Sequence, residues 1–480
     1  MEALATTRRL SRTSIVIVVA LAIAAAASIA VTPAGAAGFG APRMLTPKGG
    51  TADEPLAVVA GNGRSAVFAR WITGRGTGLQ VHEQAWLGPD ADHLAGPVDV
   101  PGATHGEDLQ AAAEPDGTIV ACSTPVWGNP ITLTCTLAPP GGGFGPPQVV
   151  ASVTTTSAAR RVGRTAGFDV IALADGRLAL ITGQSPDGVQ TQTTIALAPA
   201  GTLAFSAAAP IATRAGQGGD AFAPLPDGGL MEAYTTADPV RGTEGGGVTQ
   251  VLAPGASAFA APTPFTAPKA TSGLAGIDVG RYGVAISTRK QRKNAPEQTL
   301  VSVQRADGWS SPTPLRAVTD GFVGGDVLFL PDHSPLVISY VSHESATDCG
   351  QQTLGRIGAG PLTGARPTLL SNKHQIANPA GARVLDDGTV VALWTDSADA
   401  ARVEYAIRSP QAHHFGPAHP LPITAAREVR IASDGHQLLA TWITGSLPDG
   451  PSRLVVTTLR TTPPYARDAT RPAHPSAPCG

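Results

Sequence analysis

A turn dipeptide followed by a short apolar segment recurs along the chain and limits its fold more than any other feature. It reads Asn62-Gly63, Asp116-Gly117, Asp175-Gly176, Asp227-Gly228, Asp332-His333, Asp387-Gly388 and Asp434-Gly435, with a degenerate copy at Arg281-Tyr282-Gly283. Successive copies stand 47–59 residues apart. Asp-Gly between apolar runs signals a hairpin, because its left-handed turn matches the twist of the flanking strands. A second pattern interleaves with the first: an aromatic residue or Leu, then a Pro, then an apolar end. It begins at Phe39-Gly-Ala-Pro42, Leu94-Ala-Gly-Pro97 and Phe144-Gly-Pro-Pro147, and continues to Phe415-Gly-Pro417. Proline has no N–H to donate to a ladder and is tolerated on an edge, so these segments read as the outermost strands of small sheets.

Between the two signals each repeat has room for two more strands. The third repeat shows all four, at Phe168–Leu173, Arg177–Thr182, Gln192–Ala198 and Phe205–Ala212. The first strand of a repeat, such as Leu56–Ala60 or Val327–Leu330, is short and continuously apolar, which suits a strand covered on both faces. Four-stranded units at this period, without a helical pattern after residue 36, predict an all-β fold. The expected architecture is a β-propeller of about eight blades, or seven if one copy has degenerated. The chain opens on an outer-strand pattern at Phe39 and ends its last repeat on a third strand, Arg453–Arg460. The N-terminal segment is therefore expected to complete the last blade, closing the ring and removing two exposed edges.

The ends of the chain carry other signals. Arg8, Arg9 and Arg12 precede an apolar run from Ile15 to Ala30, and Ala34-Gly35-Ala36 offers a small-x-small cleavage site. Residues 1–36 read as a secretory signal peptide, residues 37–460 as the propeller and residues 461–480 as a Pro-rich tail. A secreted protein with no membrane segment after cleavage follows. An uncleaved anchor is the competing reading, since the run approaches spanning length.

The repeat resembles those of secreted sialidase-like and kelch-like propeller proteins, and the resemblance covers nearly all of the mature chain at the level of architecture. The Ser-x-Asp-x-Gly-x-Thr-Trp boxes of sialidases are absent, and Asp307-Gly308-Trp309 lacks their spacing. Architecture alone carries no function across such families.

A formal net charge of −2 and 15% charged residues give no electrostatic footprint for nucleic acid. Exported cysteines are expected in bridges. Cys122 and Cys135 flank Gly128-Asn129, and pairing about that turn sets them directly opposite each other. Cys349 and Cys479 remain, and a bridge between them would pin the tail across the ring.

Acids recur near the starts of the inner strands: Glu54, Asp108, Asp169, Asp220, Asp326 and Glu428, each six to eight residues before a turn dipeptide. Pointed at one channel mouth, they would raise each other's pKa and attract a cation, such as calcium, or a polyhydroxyl ligand. The alternative use of such acids is to bond neighbouring backbone amides and tie blade to blade. Second strands end in aromatics, including Trp71, Trp394 and Trp442, which can stack on sugars at a rim or wedge between blades. His343 lies on the same presumed face. His413, His414 and His419 share one loop on the opposite face.

No nucleophile elbow, zinc-protease or phosphate-loop motif occurs. The expectation is a monomeric, non-catalytic propeller with no required cofactor, binding an extracellular glycan, peptide or cell-envelope component. The alternative is a sialidase-like glycoside hydrolase or polysaccharide lyase using the mouth carboxylates.

Overall fold

The computed structural model describes residues 38–74, 78–103, 107–125, 130–153, 167–184, 190–215, 220–238, 243–267, 271–292, 295–316, 322–347, 350–371, 377–396, 401–445 and 451–461. They form eight four-stranded antiparallel blades and no helix, an eight-bladed β-propeller. Blade 1 shows the plan, with an inner strand Thr51–Val59, a second Ser65–Thr73, a third Gln80–Gly88 and an outer Ala95–Asp99. Blades 2 to 7 follow at residues 107–153, 167–215, 220–265, 271–314, 322–369 and 377–420. Blade 8 takes three strands from residues 426–460 and its outer strand from Arg43–Met44. Arg43 pairs with Val456 and Met44 with Val455, so the N-terminal segment closes the ring as the outer-strand pattern predicts.

The turn dipeptides sit where the hairpin argument places them. Gly63, Gly117, Gly176, Gly228, Gly388 and Gly435 all have φ between 86° and 98°. Each belongs to a turn in which the side chain of the preceding Asp or Asn accepts a backbone N–H, as when Asp116 Oδ1 accepts Thr118 N at 2.8 Å. In the third repeat the outer strand is Ala209–Ala215, four residues later than its pattern starts. Phe205 belongs instead to a bend, where its N–H donates to Leu203 O and Ser206 N–H to Leu197 O.

The core lies between the blades. A second strand buries both faces, with alternate residues serving opposite seams. In blade 1, Val67 and Ala69 pack toward blade 8, while Ala66 and Phe68 pack toward Ile119, Ala121 and Ala138 of blade 2. A bridge joins Cys122 to Cys135, which are opposed in register. Cys349 and Cys479 lie outside the described residues. Blades 5 and 6 also touch through one parallel pair, Gln298 with Val323.

Candidate functional site in the central channel

The eight inner strands surround the ring axis, and their side chains divide two tasks. At one mid-strand position the side chain reaches the next blade's inner strand. Gln110 of blade 2 accepts Val170 N at 3.1 Å and donates to Phe168 O of blade 3. Asp326 of blade 6 accepts Ala382 N of blade 7 at 3.2 Å. Asp278 of blade 5 accepts Val327 N of blade 6. A glutamine and two aspartates do the same work, so the position needs an acceptor rather than a charge.

Around Asp278 and Asp326 this stitching also lines a cavity. A space of about 560 Å³ opens among the inner strands of blades 4 to 8. Asp278, Asp326 and Arg383 line it, with Arg281 and Asp386 at the end nearest the turns. Burial pushes the Asp278 carboxyl up to about 7, Asp326 adds to the shift, and Val327 N–H and Arg383 oppose it. Burial also raises Asp326, against the pull of Arg383 and the Ala382 amide. Arg383 is exposed along the channel and holds Ala382 O at 2.7 Å. Toward the turns, Asp386 lies 3.3 Å from Arg281 and 3.5 Å from His436.

The interior therefore presents two carboxyls raised by burial and a guanidinium within one small volume. That set donates and accepts hydrogen bonds in fixed directions, as a hydroxyl-rich ligand requires. The volume falls in the range of small-molecule sites.

Four of the six acids read from the sequence stand in pairs across neighbouring blades, Glu54 with Glu428 and Asp169 with Asp220. Glu54 N–H donates to Glu428 Oε2 at 3.0 Å, and Arg70 binds both Asp53 and Glu54. Glu54 and Glu428 have φ of 50° and 53° at inner-strand bulges, so their positions are built into the seam between blades 8 and 1. Asp169 faces Asp220 of the next blade. Although Asp169 is open to water on one side, surrounding protein raises its carboxyl first and Asp220 second. Among those of the six with described side chains, Asp326 lines the cavity, and it lies in the second half of Phe322–Phe329 rather than at the strand start. Asp108 and His343 lie on strands Glu107–Ala113 and Pro335–Thr347, with side chains outside the described ones.

The tryptophans are packed inside. Trp394 and Trp442 are wholly buried and Trp71 nearly so. Trp394 Nε1 donates to Glu404 Oε2 at 3.0 Å, and Trp71 lies against Gly50, where a Cβ would meet the ring at 2.3 Å. These rings wedge between blades and present no face for stacking. Among the described residues no group of three or more His, Cys, Asp or Glu is placed to hold a metal ion.

Sequence reasoning missed Asp278 and Arg383. Blade 5 turns on two residues, Arg281 and Tyr282, between Gly280 and Gly283, so Asp278 falls outside the six-to-eight spacing. Its neighbourhood to Asp326 follows only from blade-to-blade register.

The fold and the cavity thus define an eight-bladed propeller with a polar channel site. No family model matches the chain, and no curated protein is similar to it. Among solved structures, the Dos1 propeller aligns at a TM-score of 0.49 and 8% identity, covering 88% of this chain and 95% of that one. Polysaccharide lyase Uly1 aligns at 0.44 and 9% identity, covering 90% and 94%. The β-propeller domain of the Trilobed protease from Pyrococcus furiosus aligns at 0.46 and 10% identity, covering 78% and 99%. The assignment of the fold rests on this chain's own strand pairing.

Proposed function

We propose that the protein is an exported propeller that binds a polyhydroxyl ligand, the end of an extracellular glycan, in the channel cavity. The observation that carries this reading is the joint lining by Asp278, Asp326 and Arg383 of one space of about 560 Å³. A carboxyl near its midpoint can donate to one hydroxyl or accept from another, the second carboxyl offers further acceptor oxygens, and the guanidinium adds fixed donors. Export is supported by the apolar N-terminal run with its small-x-small site, and by the Cys122–Cys135 bridge, which belongs to an oxidising compartment. A glycan array probed with the mature chain tests the reading. Binding to a defined subset of glycans is expected, and an empty array overturns it.

The second reading is hydrolysis or lyase chemistry, favoured by the Asp278 carboxyl, which at about 7 is poised to give up or take a proton at neutral pH. A panel of fluorogenic glycosides and polyuronates separates the two. The binding reading expects no turnover. Turnover that disappears in Asp278→Asn and Asp326→Asn, with unchanged melting, replaces binding by catalysis.

A further inference from the structure

A second site follows from how neighbouring blades are plugged at the turn end of the ring. In blades 1 and 3 the residue between the turn and the second strand reaches the loop between third and outer strands of the next blade. In blade 1 this is Arg64, whose guanidinium donates to Gly117 O and Ala138 O at 2.8 Å, Pro139 O at 2.5 Å and Gly142 O at 2.6 Å. In blade 3 it is Arg177, which donates to Ala253 O and Ala256 O of blade 4. In blade 6 the position holds Ser334, whose hydroxyl turns back to Asp332 Oδ1 at 2.6 Å. No side chain crosses from Ser334 to blade 7, and a cavity of about 280 Å³ stands in its place.

The cavity has an apolar body and a cationic rim. Leu330, Leu336 and Phe415 line the body, and Arg366 and Arg408 line the same space. The Arg408 Nε is buried and has no hydrogen-bond partner among the described residues. Asp332 is the acid that senses Arg408, but its Oδ1 accepts both Ser334 N and Ser334 Oγ. A buried guanidinium N–H left open is costly, and a bound anion would satisfy it. An apolar cavity of about 150 Å³ is enough for benzene, so the space here holds a ring or short alkyl chain with a carboxylate attached.

We propose that the seam between blades 6 and 7 is a binding site for a small apolar carboxylate, its anion on Arg408 and Arg366 and its body against Leu330, Leu336 and Phe415. The site is separate from the channel cavity, so its failure leaves the channel reading intact. Calorimetric titration of the folded chain with sodium benzoate and sodium hexanoate, beside neutral benzyl alcohol, tests it. Both carboxylates bind at millimolar concentration, and benzyl alcohol binds about tenfold more weakly or worse. Arg408→Met, which keeps the volume and removes the charge, lowers benzoate affinity about tenfold or more. Ser334→Arg, which rebuilds the plug of blade 1, abolishes binding while raising the melting temperature. No heat with either carboxylate, equal affinity for benzyl alcohol, or undiminished benzoate binding in both variants overturns the proposal.

Discussion

The seam between blades 1 and 2 and the seam between blades 5 and 6 use the same strand positions to opposite ends. In the first, Arg64 is 6% exposed and closes the gap by bonding four carbonyls of the next blade. In the second, Gly283 stands on the face toward blade 6, and the Phe329 ring occupies the place a Cβ would need. A cavity of about 950 Å³ opens beside it, lined by Tyr282, Arg305, His333 and Leu362. The apolar seam clusters continue around the ring in both regions, so the difference is not one of core. It lies in one residue after the turn. A repeat fold needs every blade to bury its faces, and it leaves the turn-end plug free to vary. The seam closed by Arg64 reads as scaffold. Around blades 5 to 7 the described residues line cavities, and with them the sites proposed above.

This contrast can be broken by substitution. The largest effect is expected from Arg64→Ala, which removes the guanidinium shared by the Gly117, Ala138, Pro139 and Gly142 carbonyls. A loss of about 3 kcal/mol or more in urea unfolding follows. A loss below about 1 kcal/mol would show that the plug is ornamental.

Next come two acids, Glu114 of blade 2 and Asp278 of blade 5. Burial pushes Glu114 up to about 7, against the Gly201 N–H it accepts, and Asp278 is raised to the same region. Each folded-state pKa lies above that of the unfolded chain. The native state therefore holds protons that the unfolded state releases, and stability falls as pH rises from about 4 to about 7. Glu114→Gln and Asp278→Asn should raise the urea midpoint at pH 8 and change it little at pH 4. An equal effect at both pH values would place these carboxyls in the ordinary range.

Smaller again is Gly283→Ala, whose methyl meets Phe329 at 2.4 Å and should cost at least about 1 kcal/mol. Ser334→Ala, at the position Arg64 fills in blade 1, should stay within about 0.5 kcal/mol.

The fold was open to reading because its signals are local. A left-handed turn selects Asp-Gly, an outer strand admits Pro, and the Cys122–Cys135 bridge follows from counting outward from one turn. The site was less legible because it forms between blades. Asp326 was visible as an acid near a turn, but its partners Asp278, Ala382 and Arg383 come from adjoining inner strands. Gln110 shows why charge was a poor guide, since an amide performs the same stitch without one. The tryptophans follow the wedge reading: an aromatic that recurs near the end of several second strands serves a need of the seams, and Trp394 and Trp442 meet it fully buried. Arg383 carries no spacing signal at all, and only its place on an inner strand brings it to the acids.

The central claim is that the channel cavity between blades 4 and 8 binds a hydroxyl-rich ligand through Asp278, Asp326 and Arg383. Its most direct test is calorimetric titration of an array-positive glycan into the wild-type chain and Arg383→Ala at pH 7. The account predicts a drop in affinity of about tenfold or more with unchanged melting. Equal affinity in the two proteins would contradict it.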